Sequence, residues 1–301
     1  MYDRKMPKSS SRQNYIGIYH KDCIDGTTAA AILLKKFPNI KLFPLKHYRK
    51  PGDITFILKK VTSNTVVYIV DFSLSPEELQ KFTGKARSVI NIDHHIGVKE
   101  KLEHLQKKFS NYTFIFDNKH SGASLTWIHL FKQKIPPLIY YVEQNDIHKG
   151  RWQDSHVAYT TSYLSQLTNQ PEHIKKILSA KNGLKDVLAN GKILTAYNTV
   201  AIKHALDGYE PIYIKIKKYS VPSYNAPEFL RSHIGHAFSK KHRRAVNIFA
   251  LSGTMARLHF RSQGGQKPSA LELAQALGGN GHTNAAGARV PLKKFLKMVL
   301  H

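Results

Sequence analysis

Cysteine is almost absent: Cys23 is the only one in 301 residues. An intrachain disulfide is therefore excluded, and the composition fits a reducing cytoplasm. Long apolar runs are lacking too, and none approaches the roughly 20 residues that cross a bilayer. The opening stretch, Met1 to Asn14, is polar and basic and lacks the apolar centre of a signal peptide. It reads as a disordered tail (1–14), and Asp3 with the shortness of the segment argues against a transit peptide. Acids are scarce: 20 Asp and Glu stand against 46 Lys and Arg, a formal charge of +26. Residues 151–301 hold 22 of those bases against 7 acids. From Phe229 to Leu271 no acid occurs, while Arg231, Lys240, Lys241, Arg243, Arg244, Arg257, Arg261 and Lys267 are all basic. A general basic bias would keep a surface solvated, but an acid-free run of this length suits phosphate contacts.

What is present is an ordinary globular composition, 42% hydrophobic, long enough to bury a sizeable core and to divide in two. The most informative stretch is Val89-Ile-Asn-Ile-Asp93-His94-His95. A β-prone apolar run ends in one carboxylate and two imidazoles, donors suited to Mn²⁺, Mg²⁺ or Zn²⁺. Adjacent histidines on a loop are most often solvated, so the triplet gains meaning from its counterparts. Tyr15 to Tyr19 predicts a strand that runs into His20-Lys-Asp22-Cys23-Ile-Asp25-Gly26, with a small-residue helix from Thr27 to Leu34. Ile40 to Leu45 and Thr65 to Val70 predict strands, the second ending in Asp71; Ser75, Pro76, Glu77 and Glu78 then announce a helix. Tyr112 to Phe116 is a further strand, and Ser121 to Phe131 a helix. The apolar run Pro137 to Val142 leads to Asp146, a further candidate strand end, with Trp152 close behind.

Strands alternating with helices predict an α/β fold with a doubly wound, mainly parallel sheet. Ligands bind such sheets at the carboxyl ends of the strands. His20, Asp22, Asp25, Asp71, Asp93, His94 and Asp146 all fall at those expected ends, which favours a metal cluster over a set of solvated acids and N-caps. Residues from about 155 to 205 carry helical periodicity, with a break expected at Asn190-Gly191. From Tyr209 onward the strands Ile212 to Ile216, Ala245 to Ala250 and Met255 to Phe260 predict a smaller α/β domain. Near the end, Gly278-Gly279-Asn280-Gly281-His282-Thr-Asn284-Ala-Ala-Gly287 reads as a glycine-rich loop before a small-residue helix start, able to bring backbone N–H groups to an anion.

In order and spacing these residues resemble the DHH phosphoesterases that carry a DHH-associated C-terminal domain. The resemblance runs from about Tyr15 to Val290 and rests on His20 to Gly26, Val70-Asp71-Phe-Ser, Asp93-His94-His95, Ser121-Gly122-Ala123, Asp146, Phe260-Arg261-Ser262 and the terminal Gly-Gly-x-Gly-His-x-x-Ala-Ala-Gly. It implies a metal-binding catalytic domain over 15–160, a helical connector over 161–206 and a substrate-binding domain over 207–301, with the active site in the cleft between the two domains. It also implies two divalent cations, most often Mn²⁺ with Mg²⁺ as an alternative. His20 and an acid of the first loop would hold one ion, Asp25, His94 and Asp146 the other, and Asp71 would bridge them. Asp93 would orient ligands and His95 would face the scissile phosphate. Arg261, Ser262, Gly279, Asn280, Gly281, His282 and Asn284 would grip the substrate.

The first loop departs from the family pattern, which has two aspartates separated by one residue after the histidine. Counting back from Asp25, the partner position holds Cys23, with Asp22 one further away. Asp22 is the preferred ligand because a carboxylate needs no pKa shift near neutral pH; the Cys23 thiolate is the alternative and would favour Zn²⁺ or Fe²⁺. The expected activity is hydrolysis of short oligonucleotides of the nanoRNase kind to mononucleotides. Alternatives are a cyclic dinucleotide or 3′-phosphoadenosine 5′-phosphate hydrolase, a single-strand exonuclease, or a nucleic-acid-binding protein with a degenerate metal site. The expected partners are short RNA or DNA or small phosphorylated nucleotides, with no membrane and with monomer and homodimer both open.

Overall fold

The structure is a computed structural model that describes residues 13–46, 49–147 and 154–300. Most of the expected N-terminal tail, and Trp152, lie outside the described residues. The chain separates into two compact units, Met1–Thr195 and Ala196–His301.

The first unit is a five-stranded sheet in the order β2-β1-β3-β4-β5, with every pairing parallel. Its strands are β1 (Asn14–His20), β2 (Lys41–Leu45), β3 (Thr65–Val70), β4 (Ser88–Asp93) and β5 (Tyr112–Phe116). Between them run α1 (Ile24–Lys36), α2 (Pro51–Leu58), α3 (Pro76–Thr83) and α4 (Lys99–Lys108). After β5 come α5 (Gly122–Phe131), α6 (Pro137–Asp146), α7 (Ser155–Leu164), α8 (Pro171–Ser179) and α9 (Gly183–Gly208). β3 shows why the sheet is covered on both sides. Val66, Tyr68 and Val70 enter one core with α1, α5 and α6, while Val67 and Ile69 enter another with α2, α3 and α4. Alternation along a strand buried on both faces yields the continuous apolar run seen in the sequence. Strand order reverses between β1 and β3, so a crevice opens beyond their carboxyl ends.

Three local expectations are corrected. Pro137–Asp146 is a helix, with Pro137 at its first turn, so Asp146 closes a helix and not a strand. α9 runs unbroken through Asn190-Gly191. A Cβ on Gly191 would lie 2.0 Å from the Tyr159 carbonyl oxygen, so this glycine permits close packing on α7 and does not end a helix. The terminal glycine-rich segment opens no helix. It forms the hairpin of β10 (Asn280–His282) and β11 (Ala285–Pro291).

The second unit is a seven-stranded mixed sheet in the order β10-β11-β9-β8-β7-β6-β12. Its other strands are β6 (Ile212–Ile216), β7 (Tyr219–Asn225), β8 (Val246–Ser252), β9 (Met255–Arg261) and β12 (Val299–Leu300). Among the described residues of this sheet, only β7 and β8 pair in parallel. The helices are α10 (Arg231–His242), α11 (Ala270–Gln275) and α12 (Leu292–Met298). One core joins α11 and α12 to the sheet, and a second joins α10 and the end of α9.

Candidate metal centre

Three strand ends deliver the site. β1 ends at His20, and Asp71 follows β3 with φ 51°, in the left-handed region that Asp enters more readily than most residues. β4 ends at Asp93, followed directly by His94 and His95. α1 begins earlier than its apolar run suggests, placing Asp25 in its first turn, where its side chain is buried. α6 supplies Asp146. Two glycines make the convergence possible. A Cβ on Gly26 would stand 2.5 Å from the His20 carbonyl oxygen and 3.1 Å from Asp71 Oδ2, and one on Gly122 would stand 2.5 Å from Asp71 Cβ.

His94 Nε2 lies 3.2 Å from Asp71 Oδ1 and 3.3 Å from Asp146 Oδ2. His20 Nδ1 lies 3.5 Å from Asp71 Oδ2. Asp25 accepts from the Ser121 hydroxyl at 2.6 Å and from the Ala123 N–H at 3.2 Å. Asp93 works differently. Its Oδ1 meets His95 Nδ1 at 2.6 Å and accepts from the His94 and His95 N–H groups at 2.8 and 3.2 Å, while the Ser73 hydroxyl holds Oδ2. That geometry fixes the His94-His95 turn, the orienting task that metal ligands require of their neighbours. One partner had no signal in the sequence. The buried Glu143 accepts from the Ser121 N–H at 3.2 Å and meets His120 Nδ1 at 2.8 Å, so it braces the residue that holds Asp25.

Among the described residues, ligand atoms gather in three groups, each within 4.8 Å: His20, Cys23 and Asp71; Asp25, His94 and Asp146; and Asp71, Asp93, His94 and His95. Asp22 is in none of them. It stands at φ 60°, with its carboxylate taken by Lys46 and by the Asn169 side-chain amide at 2.6 Å. Its N–H donates in turn to Asn169 Oδ1 at 2.9 Å. This geometry does not favour Asp22 over Cys23 as the first-loop ligand.

The electrostatics ask for a cation. Burial pushes the Asp25 carboxyl well above its usual range, and Asp71 and Asp146 add to the push. Burial and the Asp71 charge raise Asp146 to about 6. Burial opposes ionisation of Asp71 as well, but the imidazoles of His20, 3.5 Å from Oδ2, and His94, 3.2 Å from Oδ1, win and hold it well below the carboxylate range. Burial would lower His94, yet the Asp71 hydrogen bond and the carboxylates around it raise it to about 10. Burial likewise works against His95, and its Asp93 partner raises it. Burial would raise Asp93, and His95 with Ser73 brings it down. Burial raises the Cys23 thiol well above its ordinary value, and Asp71, Asp146 and Asp25 raise it further. Two buried oxygens, Asp71 Oδ2 and Asp146 Oδ2, make no hydrogen bond. Buried like charges and orphaned acceptors are costly without a counter-ion. The donor set of carboxylate oxygens, imidazole nitrogens and one sulfur therefore fits divalent metal ions.

In the second unit Arg261 lies at the end of β9 and donates to Ser232 Oγ at 2.8 Å. Burial, with Arg231 nearby, lowers its pKa to about 10. Ser262 is buried and already engaged. Its hydroxyl accepts from the Ala270 N–H at 3.0 Å and lies 3.1 Å from Asn284 Oδ1, tying the hairpin turn to α11. A Cβ on Gly279 would stand 2.1 Å from the Gly287 carbonyl oxygen, and one on Gly281 2.6 Å from that of Ala285. These glycines therefore serve close strand pairing. Asn280, His282 and Asn284 lie exposed on the same hairpin.

No family model matches the sequence, and no curated protein matches it. The fold, however, recurs in solved structures. An exopolyphosphatase-related protein from Bacteroides fragilis superposes with a TM-score of 0.51 at 13% identity, over 95% of this chain and 90% of that one. A pGpG-specific phosphodiesterase from Vibrio cholerae gives a TM-score of 0.50 at 13% identity, over 95% and 96%. RecJ from Thermus thermophilus, solved with Mn²⁺, gives 0.49 at 13% identity, over 94% of this chain and 50% of that one. The first two matches span both units and establish the α/β architecture of a parallel sheet followed by a mixed sheet.

Proposed function

We propose that this protein is a metal-dependent phosphodiesterase of the DHH type that hydrolyses short oligonucleotides to mononucleotides. The observation that carries the reading is the pair of buried carboxylate oxygens, Asp71 Oδ2 and Asp146 Oδ2, which face His20 and His94 at 3.5 and 3.3 Å without a hydrogen bond, at the carboxyl edge of a parallel sheet. His20, Asp71, Asp25, His94 and Asp146 would hold two ions, with Asp71 shared. Bound there, divalent cations supply charge neutralisation at phosphoryl oxygens and acidify the attacking water. Asp93 orients His95, which we assign to the scissile phosphate. Arg261, which lies in the acid-free run from Phe229 to Leu271, and the hairpin that carries Asn280, His282 and Asn284 bind the phosphates of the substrate. The lone cysteine suits a cytoplasmic setting, and among the described residues no helix is long and apolar enough to cross a membrane.

The test is product chromatography after incubating metal-loaded protein with labelled di- to pentaribonucleotides. pGpG, the substrate named for the Vibrio protein, and a longer single strand complete the panel. Mononucleotide release fastest on the shortest chains supports the reading; rates that climb steadily with length refute its substrate class.

A further inference from the structure

We propose that Cys23, and not Asp22, is the first-loop ligand of the metal shared by His20 and Asp71, making that position a mixed nitrogen, sulfur and oxygen site selective for borderline ions such as Zn²⁺, Fe²⁺ or Co²⁺. The inference rests on the metal-dependent reading above and deepens it.

Four observations converge. Ligand atoms of His20, Cys23 and Asp71 already lie within 4.8 Å of one another. Asp71 Oδ2, on a carboxylate only 1% exposed, faces this group with no hydrogen bond of its own. Asp22 is committed elsewhere, since its left-handed backbone directs its carboxylate to Lys46 and Asn169. Asn169 is itself fixed, because its N–H donates to Thr27 Oγ1 at 3.0 Å. Turning Asp22 inward would break the Lys46 pair and both Asn169 contacts. Cys23 also stands at the N-cap of the 13-residue helix α1, a backbone position that holds its Sγ beside His20 and Asp71. Sulfur is a soft donor, so replacing a carboxylate by a thiolate shifts preference away from Mn²⁺ and Mg²⁺.

Because Cys23 is the only thiol, the test is unambiguous. Full-length protein is stripped of metal, loaded with Co²⁺ and examined for a thiolate-to-cobalt charge-transfer band in the near ultraviolet. In parallel, thiol reactivity toward a disulfide reagent is measured with and without Zn²⁺. The wild type should show the band, and Zn²⁺ should slow thiol modification by at least about tenfold, as expected for a coordinated thiolate. Asp22→Asn should retain the band and Cys23→Ser should lose it. Cys23→Asp should move the Mn²⁺-to-Zn²⁺ affinity ratio toward Mn²⁺ by at least about tenfold. If Cys23→Ser fails to fold, the wild-type band and thiol protection still decide. Full metal uptake and oligonucleotide hydrolysis with no band and an unprotected thiol overturn this inference and leave the proposed function standing. A band without hydrolysis upholds the ligand and sinks the function. Failure to bind Co²⁺ or Zn²⁺ while Mn²⁺ still binds overturns this inference alone, and failure to bind any of the three overturns both.

Discussion

Gly122 packs directly on Asp71: a Cβ at position 122 would lie 2.5 Å from the Asp71 Cβ and 2.7 Å from its Cα. The first residue of α5 and the residue after β3 thus share one small space, and only a hydrogen at 122 lets Asp71 take its place. Gly122→Ala offers a helix-propensity gain of up to about 1 kcal/mol. Overpacking against backbone costs about 1–3 kcal/mol and should win. Urea denaturation should show net destabilisation, and metal affinity should fall because Asp71 is displaced. A more stable variant with unchanged metal binding would contradict this packing.

Asp93 contacts the His94 and His95 N–H groups and His95 Nδ1. Asp93→Asn keeps the shape but weakens the grip on His95. Loss of such an orienting group typically costs about 10–100-fold in metal affinity or activity. Isothermal titration with metal and a single-turnover assay should both fall in that range. A loss as complete as that of Asp71→Asn would instead make Asp93 a direct ligand.

The strand ends were legible because buried parallel strands print as continuous apolar runs whose polar termini stand out. Thr65 to Asp71 and Val89 to His95 are the clearest cases. α6 was harder, since a short apolar run such as Pro137 to Val142 suits a strand or a buried helix, and the first-turn proline decides only once a helix is known. The alanines after Asn284 carry helix propensity, yet in β11 Ala286 and Ala288 alternate into the core with Val290. Gly191 resembled a breaker because the sequence does not announce that Tyr159 lies against it. The Asp22 carboxylate is drawn to Lys46 and Asn169 by one backbone torsion and by a residue 147 positions away. Local pattern does not carry such a relation.

Stability of the second unit should depend on pH through His259. Burial, with Arg231, Arg261 and Arg257 around it, lowers this imidazole to about 3. Burial lowers His233, His236 and His242 too. A histidine depressed in the folded state binds fewer protons there than in the unfolded chain. Stability is then complete above the unfolded pKa of about 6.5 and declines as pH falls toward about 3. Amide exchange in peptides from 246–261 should accelerate between about pH 7 and pH 5, after correction for intrinsic rates. His259→Gln should flatten that dependence, and an unchanged slope would assign it to other groups.

The most direct test of the account is the rate of mononucleotide release from a labelled diribonucleotide by metal-stripped protein, before and after divalent metal is restored. No release is expected without metal, and multiple turnovers with it. Asp71→Asn should be reduced at least about 10²–10³-fold, the scale on which loss of a key electrostatic group acts. Turnover by the stripped protein, or an Asp71→Asn variant as active as wild type, would contradict the central claim.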